Sequence, residues 1–147
     1  MGIVYRIEER RLAVVLWDGR VTADEFLAHA RRLLADSQWP PLEGRHLTDL
    51  RSAIVDPSVD HAVVNEAVDL FGTHPKIGGL RVAIVAVEPF VQAAVDAFIE
   101  TGVFERLIQR DRPLIVVFDS LNSACQWLGV DASDVGGSLH SLKTQLS

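Results

Sequence analysis

The sequence predicts an α/β domain: a four- to five-stranded mixed sheet, in the order β-β-α-β-α-β-α-β-α, with helices packed against it. Three observations carry this. Short β-type runs alternate with apolar residues at helical spacing along most of the chain. Strands separated by helices need crossover connections, which makes most of the sheet parallel. The first two runs are joined by only a short link, which adds an antiparallel hairpin at one edge.

The elements follow in order. Ile3, Tyr5 and Ile7 alternate with polar residues and predict a half-buried strand. Leu12 to Trp17 is almost wholly apolar, as expected of a strand covered on both faces. Glu9-Arg10 links the two, and Asp18-Gly19 is expected to end the second strand in a turn. Thr22-Ala23-Asp24-Glu25 has the spacing of a capping box. Behind it, Phe26, Leu27, Ala30, Leu33 and Leu34 give a buried helical stripe, with His29, Arg31 and Arg32 expected outside. Pro40-Pro41 prevents the helix from resuming.

His46 to Ile54 predicts the third strand. Asp56 is expected to cap the second helix, with Pro57 in its first turn and Val63, Ala67, Leu70 and Phe71 inward. Leu80 to Val87 is the fourth strand. A third helix opens at Glu88-Pro89, with Phe90, Val91, Ala94, Val95 and Phe98 inward, and is expected to run on through Phe104 and Leu107. Pro113 to Asp119 holds the last strand. Ser120 caps a short helix carrying Leu121, Ala124, Trp127 and Leu128, closed by Gly129. Residues 1–130 thus make one domain, and polar residues 131–147, with adjacent glycines at 136 and 137, are expected to form a loose tail or a peripheral helix, with a partly ordered tail favoured.

Composition narrows the function. The chain of 147 residues is the usual size of one domain. A net charge of -6 with scattered arginines argues against nucleic acid, which needs clustered basic groups. The single cysteine, Cys125, excludes an internal disulfide and a cysteine zinc site, and fits a cytoplasmic protein. No apolar run is long enough to span a membrane. His29, His46, His61, His74 and His140 lack short metal-binding spacings, so they read as surface or loop histidines and no metal is expected. No nucleophile elbow or glycine-rich phosphate loop is present.

Several segments, taken together, resemble a known family. They are Trp17-Asp18-Gly19-Arg20-Val21-Thr22, Leu33-Leu34-Ala35-Asp36-Ser37-Gln38-Trp39, Leu47-Thr48-Asp49-Leu50-Arg51, Arg81-Val82-Ala83-Ile84-Val85 and Ala124-Cys125-Gln126-Trp127-Leu128-Gly129. In this order and spacing the chain resembles the STAS-like domains of anti-sigma-factor antagonists, in the branch of small bacterial proteins called SpoIIAA-like. The resemblance spreads over almost the whole chain and implies a regulatory protein-interaction module with no cofactor and no catalysis. It places the working site in the loop between the third strand and second helix, where an Asp precedes a Ser or Thr phosphorylated by a partner kinase and then a Gly. Asp56 and Ser58 stand at the matching places, but Pro57 lies between them and Val59 replaces the Gly. The implied partner is a protein, such as a regulatory kinase or an anti-sigma-like factor.

The candidate partner-binding residues are therefore Asp49, Arg51, Asp56, Ser58, Asp60 and Trp39, with Ser58 the candidate phosphorylation site. Asp49 and Arg51, two apart on a strand, share a face and either pair or look toward a ligand at the strand's carboxyl end. They are also the only nucleus for an enzyme reading, together with a nearby histidine. Trp39 sits in a Pro-rich loop, either as an exposed anchor or folded over the sheet edge. One further feature points elsewhere. Val63, Val64, Ala67 and Val68, like Val91, Ala93, Ala94, Val95 and Ala97, are too many apolar residues for one buried stripe. That excess predicts a second contact, either a homodimer or a cavity for an apolar ligand such as a lipid tail.

Overall fold

The computed structural model describes residues 2–98 and 113–146. Its centre is a five-stranded mixed sheet in the spatial order β1-β2-β3-β4-β5, formed by β1 (Gly2–Glu8), β2 (Leu12–Val21), β3 (Arg45–Val55), β4 (Arg81–Val85) and β5 (Leu114–Phe118). The β1–β2 pair is antiparallel and every other pair parallel. The hairpin turns on Glu9 and Arg10, both left-handed at φ 50° and 61°.

Sequential strand order has a topological consequence. Right-handed crossovers that always step the same way across a sheet put every crossover helix on one face. Accordingly α1 (Ala23–Ala35), α2 (His61–Gly72) and α3 (Pro89–Phe98) share a face, packed on Val15, Trp17, Leu50 and Ile84. The opposite face carries Leu12, Val14, Leu16, Leu47, Ala83 and Val85. It is closed by α4 (Leu121–Leu128) and α5 (Ala132–Leu146). The doubly apolar run Leu12–Trp17 is thus a strand between two helical layers. The expected continuation of the third helix through Phe104 and Leu107 lies outside the described residues.

Local signals set several boundaries. The Thr22 capping box forms: the Glu25 N–H donates to Thr22 Oγ1, and the Thr22 N–H to Glu25 Oε1, each at 3.3 Å. Ser120 Oγ accepts from the Ser123 N–H at 3.1 Å, and Gly129 ends α4 in the left-handed conformation that glycine adopts without steric cost. At α1's end, Tyr5 Oη donates to Asp36 Oδ2 at 2.7 Å and ties that helix to β1.

Three expectations are corrected. Asp18-Gly19 does not end β2, which continues to Val21 because Gly19 takes a positive φ of 71° while the strand stays paired to β3. There β3 fits two residues, Leu50 and Arg51, opposite Trp17, so its face alternation shifts and Leu50, Ala53 and Val55 all pack toward the α1–α3 layer. Asp56 does not cap α2. That cap is Asp60, whose Oδ1 accepts the Val63 N–H at 3.0 Å, because Asp56 closes a separate turn, its Oδ1 accepting the Ser58 N–H, and α2 begins only at His61. Finally, residues 132–146 are a helix instead of a partly ordered tail. Two glycines cost about 1 kcal/mol each against Ala in a helix, but Val135, Leu139 and Leu142 are buried on the open face of the sheet.

A cavity with a buried histidine pair

Between the α1–α3 layer and the sheet lies a cavity of about 220 Å³. Trp17, Leu50, Val82, Ile84 and Ile115 form its sheet wall. Phe26 and Leu33 of α1, Val64 and Val68 of α2 and Val95 of α3 form its helical wall. Trp39, Ile77 and Leu80 close the end near the start of β3. Among the described lining residues only His29, His46, Thr48 and the two indoles carry polar side-chain atoms.

Those polar groups are connected in a defined direction. Trp39 Nε1 donates to His46 Nδ1 at 3.1 Å. An indole N–H can only donate, so His46 Nδ1 must be bare and its proton sits on Nε2. Nε2 lies 3.0 Å from Thr48 Oγ1 and therefore donates to it. The Thr48 hydroxyl hydrogen is left over and available to an acceptor. The ring of His46 is also edge-on to Trp39, which packs on Phe71 and His74 at centroid distances of 5.5 Å.

His29, on α1, sits edge-on to Tyr5. Its Nδ1 is buried with no hydrogen-bond partner among the described residues. A buried polar atom without a partner costs about 1–3 kcal/mol, so natural structures rarely keep one without a reason. Both rings are neutral at physiological pH. Burial pushes His29 down to about 3, helped by the nearby His46 and Arg32, and burial alone lowers His46 to about 4. The expectation that the histidines lie on the surface or in loops is thus corrected for His29 and His46, which are 4% and 6% exposed. For His29 the spacing did hold the signal: Phe26, His29, Ala30 and Leu33 all fall on one helical face.

Of the residues singled out in the sequence, Trp39 belongs to the cavity and the others lie elsewhere. Trp39 is 3% exposed, so it is folded inward and is no surface anchor. Asp49 is buried on the opposite face, with Leu47, and takes a bidentate pair from Arg51 at 2.9 and 3.0 Å. With both oxygens so engaged, this pair holds the strand end together and does not reach the cavity. Asp56, Ser58 and Asp60 do come together, in an exposed turn beyond β3. Asp56 Oδ2 accepts from Arg20 Nη1 at 2.7 Å, and Oδ1 accepts the Ser58 N–H at 2.9 Å. Hydrogen bonds from Ser58 and the Arg20 guanidinium hold the Asp56 carboxyl down at about 2. Ser58 Oγ accepts the Ala23 N–H at 3.0 Å, bridging to the start of α1.

No family model and no curated protein matches this chain. Among the described residues no three His, Cys, Asp or Glu side chains converge to hold a metal, and no helix is long and apolar enough to cross a membrane. Cys125 is buried under the α4–β4 contact, and desolvation raises its thiol above the usual range, which disfavours the nucleophilic thiolate.

Proposed function

We propose that this chain is a non-catalytic binding protein for a small apolar ligand held between its helical layer and its sheet. The observation that carries the reading is the apolar cavity of about 220 Å³. It also accounts for the surplus of apolar residues on α2. Val63 and Ala67 pack toward the sheet, while Val64 and Val68 line the cavity. An apolar cavity of about 150 Å³ stays dry and takes up benzene, so one of this size suits roughly nine carbon-sized atoms. Catalysis is not supported, because Asp49 and Arg51 neutralise each other on the far face.

Titration with butylbenzene, followed by tryptophan fluorescence, tests this directly, since Trp17 and Trp39 both line the cavity. Saturable quenching or a spectral shift is expected, together with a raised Tm. Val68→Phe, which places a ring in the same space, should abolish both. No response from the unaltered protein would overturn the reading.

A second reading is a STAS-like regulatory interaction module that docks a protein partner through the Asp56–Asp60 turn. Two observations favour it. The turn is exposed, and Ile54 beside it is an apolar side chain left 58% exposed. A phosphate on Ser58 would break its bond from Ala23 and sit among Asp56 and Asp60, which repel it, so modification would loosen this corner. Partner capture that survives Ile54→Asp, Asp56→Ala and Ser58→Ala together would eliminate this docking face.

A further inference from the structure

Resting on the cavity reading, we infer that Trp39 is an acid-released gate: its hydrogen bond to His46 holds the ring over one end of the cavity, and a second proton on His46 frees it. The chemistry of that bond carries the inference. The indole N–H of Trp39 donates to His46 Nδ1 at 3.1 Å. An indole nitrogen has nothing to accept with. Once Nδ1 carries a proton, two donors face each other and the bond cannot exist. The contact of Nε2 with Thr48 survives, because Nε2 is protonated in both states. The break is therefore confined to Trp39.

Trp39 also stands where the chain can move. It lies in residues 36–44, between α1 and β3, which form no helix or strand. Leu42 in that stretch is 80% exposed, so one side of the loop meets solvent. Among the described residues His46 is the one polar tie of the indole; Leu33, Phe71, His74, Ile77 and Leu80 hold it by packing alone. In the sheet His46 is flanked by Ala13 and Val82. The described titratable groups facing it are His29 on α1 and, across Trp39, His74. Arg32 and, through Tyr5, Asp36 stand behind His29. With the gate closed, burial lowers His46 to about 4, whereas in water the ring titrates near 6.5. The open form thus takes the proton first. Each pH unit between those values moves the open-to-closed ratio tenfold, about 300-fold in all. Complete unfolding exposes His29 as well and takes up two protons, whereas opening the gate takes up one.

Hydrogen exchange of the Trp39 indole N–H, followed by NMR from pH 6 to pH 5 with far-UV circular dichroism alongside, tests the release. Protection, corrected for the intrinsic exchange rate, is expected to fall about tenfold over that unit while the dichroism is unchanged. His46→Asn, whose amide oxygen accepts in place of Nδ1 and does not titrate, should make the profile flat. A flat profile in the unaltered protein, a slope of two protons, or dichroism lost in step with the indole would overturn the inference. That measurement needs only the unaltered protein, so it decides even where the variant does not fold. The dissociation rate of butylbenzene, read by tryptophan fluorescence, tests the gate itself and should rise about tenfold over the same pH unit. Binding at pH 7 with a dissociation rate indifferent to pH would refute the gate and leave the cavity reading intact. No binding at pH 7 would end the cavity reading, and the gate with it.

Discussion

His29 and His46 are the residues whose physical state most affects the rest. Each is buried and neutral, with its folded value below the 6.5 of the free side chain. In the unfolded chain both take up a proton as pH falls through about 6.5, whereas the folded protein does not until about 4 and 3. The unfolded state therefore binds more protons in that window, and stability drops as the solution is acidified. The slope approaches about 1.4 kcal/mol per pH unit for each histidine. Urea midpoints measured from pH 7 to pH 5 should fall steadily, and His29→Leu should flatten the profile by one proton. Asp56 acts in a separate window. Its folded value of about 2 lies under the ordinary 3.8, so its stabilising contribution is present above 3.8 and is lost only as pH falls toward 2. Arg20→Ala should raise the Asp56 pKa, as read by carboxylate NMR titration, without changing the behaviour between pH 5 and 7.

Individual elements show how far local chemistry can be read from sequence. The caps at Thr22 and Ser120 and the glycine stop at 129 were legible, because each depends on residues within one turn. The α2 cap was not, because residues 56–59 close a turn of their own, with the Val59 N–H on the Asp56 carbonyl, so the helix starts only at His61 and its cap is Asp60. The polar end of the cavity was hidden as well. His46 reads as a surface or loop histidine until Trp39 folds over it. Helix α5 was obscured by its own weakness, the glycines at 136 and 137. A Cβ at either position would meet nothing within 4 Å. Gly136→Ala and Gly137→Ala should therefore each stabilise the protein by up to about 1 kcal/mol, through helix propensity alone. Chemical denaturation of the two variants checks this, and a loss of stability would show that α5 does not hold the helical conformation found here.

At the scale of the whole molecule, one-directional winding divides the labour between the two faces. The crossover helices α1 to α3 enclose the cavity, while α4 and α5 form a dense layer around Leu47, Leu128 and Leu142, each at most 1% exposed. Substitutions in the two layers should behave differently. Leu142→Ala opens a void in a packed region and should cost about 2–5 kcal/mol. Val68→Phe fills space that already exists and should cost much less, or even raise Tm. Comparing the two Tm values tests whether the looseness is confined to one side. The sequence announced both layers in the doubly apolar run Leu12–Trp17, but it did not say which helices would lie on which side. That follows only from the strand order.

The same winding sets the timetable of assembly on the ribosome. By the time β5 has emerged, every strand is available and one side of the sheet has its helices, but Val14, Leu16, Leu47 and Val85 have nothing over them. That oily surface waits for residues 121–146, which at usual translation speeds takes seconds. During those seconds the nascent chain is a natural client for a chaperone that shields one flat, greasy side.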